Sequence, residues 1–147
     1  MDRARNYLAL ARKGGMIELG EEPVGAITRS LRAALVVVAA DASDHTWRRA
    51  LSFVAGTDQP CLRIPFTKDE LGLAVGRTSL AIAAVTDAAL ALAFVKALEK
   101  PEAHQKVLEA LESRTKRVQQ RRKEAKAHEK NRQLGRSGRK AGMKKDN

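Results

Sequence analysis

Two apolar runs, Ala34–Ala40 (ALVVVAA) and Ser79–Val85 (SLAIAAV), constrain this chain more than any other feature of it. A strand without polar alternation has no face to give to water, so each run predicts a strand inside a sheet covered on both sides. Helices must supply that cover, and the sequence between the runs has the spacing for them. Asp2 to Lys13 places Tyr7, Leu8, Leu10 and Ala11 among basic residues and stops at Gly14 and Gly15, an amphipathic helix with its end signal. Met16, Ile17 and Leu19 read as a short half-buried strand. Gly20 turns it into a second helix, from about Glu21 to Leu31, in which Val24, Ile27 and Leu31 recur at helical spacing.

Beyond Ala40, Ser43 or Asp44 caps a third helix, with Trp47, Ala50, Leu51 and Val54 on one face and Arg48 and Arg49 on another. Gly56, Asp58, Gln59 and Pro60 close it. Cys61–Phe66 is a third strand, kept short by Pro60 and Pro65. Thr67-Lys-Asp-Glu70 has capping-box spacing, so a helix starts at Lys68 and turns Leu71 and Val75 inward, with Gly72 allowing close packing and Gly76 ending it. Arg77 and Thr78 lead into Ser79–Val85, and Asp87 caps a last helix through Leu98, with Leu90, Phe94 and Leu98 on one stripe. The order α-β-α-β-α-β-α-β-α predicts an α/β fold, a three-layer α/β/α sandwich with a four-stranded mixed sheet.

Charge divides the chain. Residues 101–147 hold 15 Lys or Arg against 6 Asp or Glu, while residues 1–100 hold 13 against 11, within a net charge of +11. The expected organisation is a balanced domain over 1–100 and a basic tail over 101–147, helical to about Gln133 and disordered around Gly135, Gly138 and Gly142. Pro101 opens the tail, and Val107, Leu108 and Leu111 have the character to pack back on the domain. A polycation of this kind points to an anionic partner. The lone Cys61 excludes a disulfide framework and fits a reducing, cytoplasmic setting. The N-terminal residues lack the apolar core of a signal peptide, and Thr86 and Asp87 interrupt the longest apolar stretch, so no membrane span is expected.

Catalytic signatures are missing from the sequence: it has no P-loop, no GxGxxG after a strand, no GxSxG and no HExxH, and His45, His104 and His128 are scattered. Asp41 and Asp44 follow a buried strand, but no base, nucleophile or metal ligand pairs with them, and turn and cap duty is the reading adopted. No enzyme activity, cofactor, metal or small-molecule substrate is therefore expected. Cys61 reads as a small buried hydrophobe and Trp47 as a packing residue.

The Gly20 turn carries the functional question. Glu21 and Glu22 either complement the positive end of a helix dipole, or stand with the exposed N–H groups of the turn before a nucleic acid, where a carboxylate accepts from base amines. Arg12 and Lys13 likewise either answer a helix C-terminus or approach a phosphate backbone near Gly20.

The run LALARKGGMIELGEEPVGAI, the strand ALVVVAADAS and the segment FTKDELGLAVGRTSLAIAAVTD resemble the YlxQ-type bacterial members of the ribosomal L-seven-Ae/L-thirty-e superfamily of small RNA-binding proteins. The resemblance runs in order over about residues 4–98, and the LGxAxG pattern at Leu71, Gly72, Ala74 and Gly76 is its most specific part. It implies a domain that binds structured RNA, kink-turns above all, in which tandem sheared G·A pairs bend the duplex. It also implies the gripping residues: Gly20, Glu21 and Glu22 after the first strand, Gly76, Arg77, Thr78 and Ser79 before the last, with Ala40 to Ser43, including Ala42, nearby; Lys13 is added to them on its own charge and its nearness in sequence to Gly20. Strong kink-turn binders of the superfamily carry an Asn-Glu pair followed three residues later by Lys; here the pair is Glu21-Glu22 and the later position is Gly25. Tail cations such as Arg117, Arg121, Arg122 and Lys123 add sequence-independent phosphate contacts. The expected function is a non-enzymatic, ribosome-associated RNA-binding protein whose partner is ribosomal or other structured RNA. The competing reading is a protein-interaction module that touches RNA only through its tail.

Overall fold

The computed structural model describes the backbone of residues 2–146 and the side chains of residues 2–132. Its compact unit comprises α1 (Asp2–Lys13), β1 (Ile17–Leu19), α2 (Glu21–Arg29), β2 (Leu35–Val38), α3 (Asp44–Val54), β3 (Cys61–Arg63), α4 (Lys68–Ala74), β4 (Ile82–Val85), α5 (Ala88–Lys96), a 3-10 turn at Pro101–His104 and the start of α6 (Gln105–Asp146). The four strands form one mixed sheet in the order β1-β4-β2-β3, with β2 and β3 parallel and the other pairs antiparallel. Every residue of β2 and β4 is buried, as runs without polar alternation require. One layer of cover is α1, α4 and α5, with α1 on β1 and α5 on β4; the other is α2 and α3, which pack on each other and on all four strands.

Local chemistry sets most element ends. Ser43 accepts from Thr46 N–H at the start of α3, Asp87 accepts from Leu90 N–H at the start of α5, and Thr67 and Glu70 form a complete capping box on α4. Glu70 is held below the usual carboxylate range, first by the Thr67 backbone N–H, then by the Thr67 hydroxyl and the Arg5 guanidinium, 2.9 Å away.

Leu31 departs from the apolar stripe expected of α2. The helix ends at Arg29, and Leu31 lies at φ 60° with 62% of its surface exposed. Its N–H donates to Thr28 C=O and that of Arg32 to Ile27 C=O, the paired bonds of a Schellman ending, with leucine in the left-handed position where glycine is usual. Leu51, expected to face inward, is 42% exposed, while its neighbour Ala50 carries the packing.

At the sheet end where β2 begins, Gln59 is buried and bonds two backbone groups: its Oε1 accepts from Ala33 N–H (2.9 Å) and its Nε2 donates to Thr28 C=O (3.1 Å). Phe66 and Phe94 meet edge to face in the core, 6.1 Å between centroids. Leu108 and Leu111 also belong to the core, so the compact unit runs to Ser113 rather than ending near Lys100. Arg114–Asn147 form a second unit. Its α6 backbone is helical to Asp146, and Gly135, Gly138 and Gly142 lie within that helix. Among the described residues, no helix is long and apolar enough to cross a membrane.

Candidate nucleic-acid interface

Strand direction brings three loops together. Leu19 pairs with Ala83, Val38 with Ile82, and Val38 with Arg63, so the C-terminal ends of β1, β2 and β3 and the N-terminal end of β4 share one end of the sheet. Neighbouring strands lie about 4.8 Å apart, so β1 and β2 are separated by only about 10 Å across β4. The Gly20 turn, the Ala39–Ser43 loop and the Gly76–Ala81 loop all emerge there.

Hydrogen bonds fasten them. Gly20 N–H donates to Ile82 C=O (3.0 Å) and Ala39 N–H to Ala81 C=O (2.9 Å). Lys68 is the common anchor of the other two loops: its N–H donates to the Asp41 carboxylate (2.7 Å) and its C=O accepts from Leu80 N–H (2.9 Å). Asp41 thus has the capping duty expected of it, and through that bond it ties the β2–α3 loop to α4.

Gly20 stands at φ 96°, ψ 165°, a region essentially reserved for glycine, and it offers α2 no side-chain cap. The N–H groups of Glu21 and Glu22 therefore start the helix without an intrahelical acceptor. Glu22 is exposed and, among the described residues, makes no ion pair or side-chain hydrogen bond. Glu21 is engaged by Arg49 of α3, whose Nε donates to its Oε1. Across the turn, Gly76 (φ 79°), Arg77, Thr78 and Ser79 are all exposed.

Gly72 explains how that loop is held. A Cβ at this position would lie 2.7 Å from Ser79 N, 2.8 Å from Ser79 Cα and 3.0 Å from Arg77 O. Only a glycine lets the backbone of residues 77–79 lie directly on α4, where Arg77 N–H donates to Gly72 C=O (2.8 Å). Gly25 has a comparable role: its absent Cβ would meet the Phe53 ring at 3.1 Å and Arg29 Nη1 at 3.3 Å. Position 25 is a packing contact between α2 and α3, which is why no long side chain stands there.

Two expected site residues do not join the group as proposed from sequence. Lys13 precedes β1 while Gly20 follows it, so Lys13 lies at the opposite end of the strand. Ala42 is in the right loop, but its methyl group is buried at 8% exposure, and its neighbours Ala40, Asp41 and Ser43 form the exposed surface. In the second unit Arg117, Arg121, Arg122 and Lys123 are exposed on α6; at 100° per residue they spread around the helix rather than share a face.

Sequence reasoning missed Arg49, although its spacing of four from Phe53 on one helix was visible. The guanidinium carbon stands 5.1 Å from the Phe53 centroid. Trp47 is half-buried against the core, with the Arg63 guanidinium carbon 4.9 Å over its ring, so it packs as expected and also supports a surface cation. Burial pushes the Cys61 thiol up to about 12, in keeping with an inert packing residue. Among the described residues, no group of His, Cys, Asp and Glu is arranged to hold a metal ion.

No known family model matches the chain. No curated protein matches its sequence either. Among solved structures, its fold is similar to that of a protein of unknown function from Bacillus halodurans, at 20% identity, covering 76% of this chain and 99% of that one with a TM-score of 0.58. It is also similar to the 15.5kD RNA binding protein of Giardia lamblia, at 22% identity, covering 67% and 84% with a TM-score of 0.54. At these identities the likeness is one of fold.

Proposed function

We propose that the compact unit binds structured RNA, kink-turn-like in shape, through the loops at the β4 entry of the sheet, and that the basic tail adds phosphate contacts. The observation that carries this reading is the convergence of the Gly20, Ala39–Ser43 and Gly76–Ala81 loops, held by hydrogen bonds from Gly20 to β4, from Ala39 to Ala81, and from Asp41 and Leu80 to Lys68 of α4. Such a surface offers what a bent RNA exposes partners for: the N–H groups of Glu21 and Glu22 that lack an intrahelical acceptor, the Glu22 carboxylate for base amines, and Arg77 for phosphate. The shared fold of the Giardia RNA binding protein supports the same reading. On this proposal the protein is a non-enzymatic, cytoplasmic, ribosome-associated RNA binder, a YlxQ-type member of the L-seven-Ae/L-thirty-e superfamily.

The test is a salt titration of binding by the full chain and by a truncation after Ser113, against a kink-turn hairpin and an uninterrupted duplex of equal length. The truncated domain retains preference for the hairpin, while loss of the tail flattens the salt dependence of duplex binding. Glu22→Ala and Arg77→Ala each weaken hairpin binding. A domain that binds neither RNA at low salt, or variants that leave hairpin affinity and footprint unchanged, would assign RNA contact to the tail alone.

A further inference from the structure

We infer that Arg49 of α3 is a prepositioned RNA-phosphate contact for the strand passing the Gly20 turn; the inference rests on the RNA-binding reading above. Three features of this chain hold the guanidinium in place. Its Nε is taken by Glu21, the residue next to Gly20, and its guanidinium carbon lies over the Phe53 ring, 5.1 Å from the centroid. That ring in turn abuts Gly25, where the missing side chain lets α2 and α3 approach closely enough for the pair to form.

What remains open is the useful part. With Nε bonded to Glu21, the Nη1 and Nη2 edge makes no other hydrogen bond or ion pair among the described residues, and 52% of the side chain is exposed. That edge is the fork that matches two phosphate oxygens. An ordinary surface arginine loses rotamer freedom when it binds, whereas this one is ordered beforehand. Arg48, one residue earlier, is exposed and, among the described residues, has no ring or carboxylate contact to fix it.

Arg49 also neutralises Glu21, and the experiment must separate that role from direct contact. The full chain is titrated with a synthetic kink-turn hairpin across a salt series as wild type, Arg49→Ala, Arg49→Lys, Glu21→Gln and the double variant Arg49→Ala/Glu21→Gln. Direct contact predicts a loss of about five- to tenfold for Arg49→Ala, with the salt slope shallower by about one. It predicts a smaller loss for Arg49→Lys, which keeps the charge but not the fork, and no recovery in the double variant. Recovery of wild-type affinity in the double variant overturns the inference, because neutralisation is then the whole effect. Unchanged affinity and slope for Arg49→Ala also overturn it, and do so without touching the earlier reading if Arg77→Ala still weakens binding. If Arg77→Ala and Glu22→Ala are silent too, both readings fall together.

Discussion

Gly72→Ala separates local helix preference from loop packing, because the two act in opposite directions. Inside a helix, alanine is favoured over glycine by about 1 kcal/mol, so a helix that ended in solvent would be stabilised. Here the new methyl carbon would stand 2.7 Å from Ser79 N and 2.8 Å from Ser79 Cα. Those are backbone atoms and cannot rotate away, so the loop must lift. Overpacking of this kind costs about 1–3 kcal/mol. Lifting the loop also stretches the 2.8 Å bond from Arg77 N–H to Gly72 C=O, worth about 1 kcal/mol. The balance is a net destabilisation of about 1–3 kcal/mol, which lowers the Tm of a domain this size by roughly 5–15 °C. Thermal melts of the full chain followed by circular dichroism measure it, with hairpin binding measured in parallel. Leu73→Ala, one position along the same helix and 74% exposed, is the control and shifts stability by no more than about 0.5 kcal/mol. A Gly72→Ala protein that melts at or above the wild-type temperature with unaltered RNA affinity would show that the loop does not depend on this close approach.

Gln59→Ala removes the side-chain partner of both Ala33 N–H and Thr28 C=O in a buried site, a loss of about 1–3 kcal/mol that a urea midpoint measures without change in the m-value. Because Glu70 titrates below its ordinary value in the folded chain, its contribution is complete above the ordinary carboxylate range and is lost as pH falls through the depressed value. Glu70→Gln keeps a capping side chain but removes that titration, so its stability falls less steeply on acidification; identical acid profiles would show that Glu70 contributes nothing. A chain ending at Lys100 lacks Leu108 and Leu111 and is destabilised by about 3–5 kcal/mol, whereas one ending at Ser113 melts like the full chain. Equal Tm values for the two truncations would remove those leucines from the core.

The elements legible in the sequence were those whose cause is local. The capping box at Thr67–Glu70 needs residues three apart, the Ser43 and Asp87 caps need one turn, and the Gly20 turn follows from a glycine between an apolar strand and a helix start. Leu31 misled because a left-handed helix ending usually announces itself with glycine, and here leucine fills that place. The interface was half legible. Gly20, Glu21, Glu22 and the loop at residues 76–79 emerge at one end of the sheet, whereas Lys13, close to Gly20 in sequence, precedes β1 and lies at the other end.

Periodicity, caps and punctuation in the chain determined which segments become helices and strands and that two strands lie buried on both faces, since each depends on neighbours within a turn or two. The order β1-β4-β2-β3, the Arg49–Glu21 pair 28 residues apart, the Phe53 ring against Gly25, and the seat of Ser79 on Gly72 were decided only when the layers packed. Those contacts join segments that share no local code; they exist because burying both faces of one sheet at high density leaves few places for a helix or loop to go.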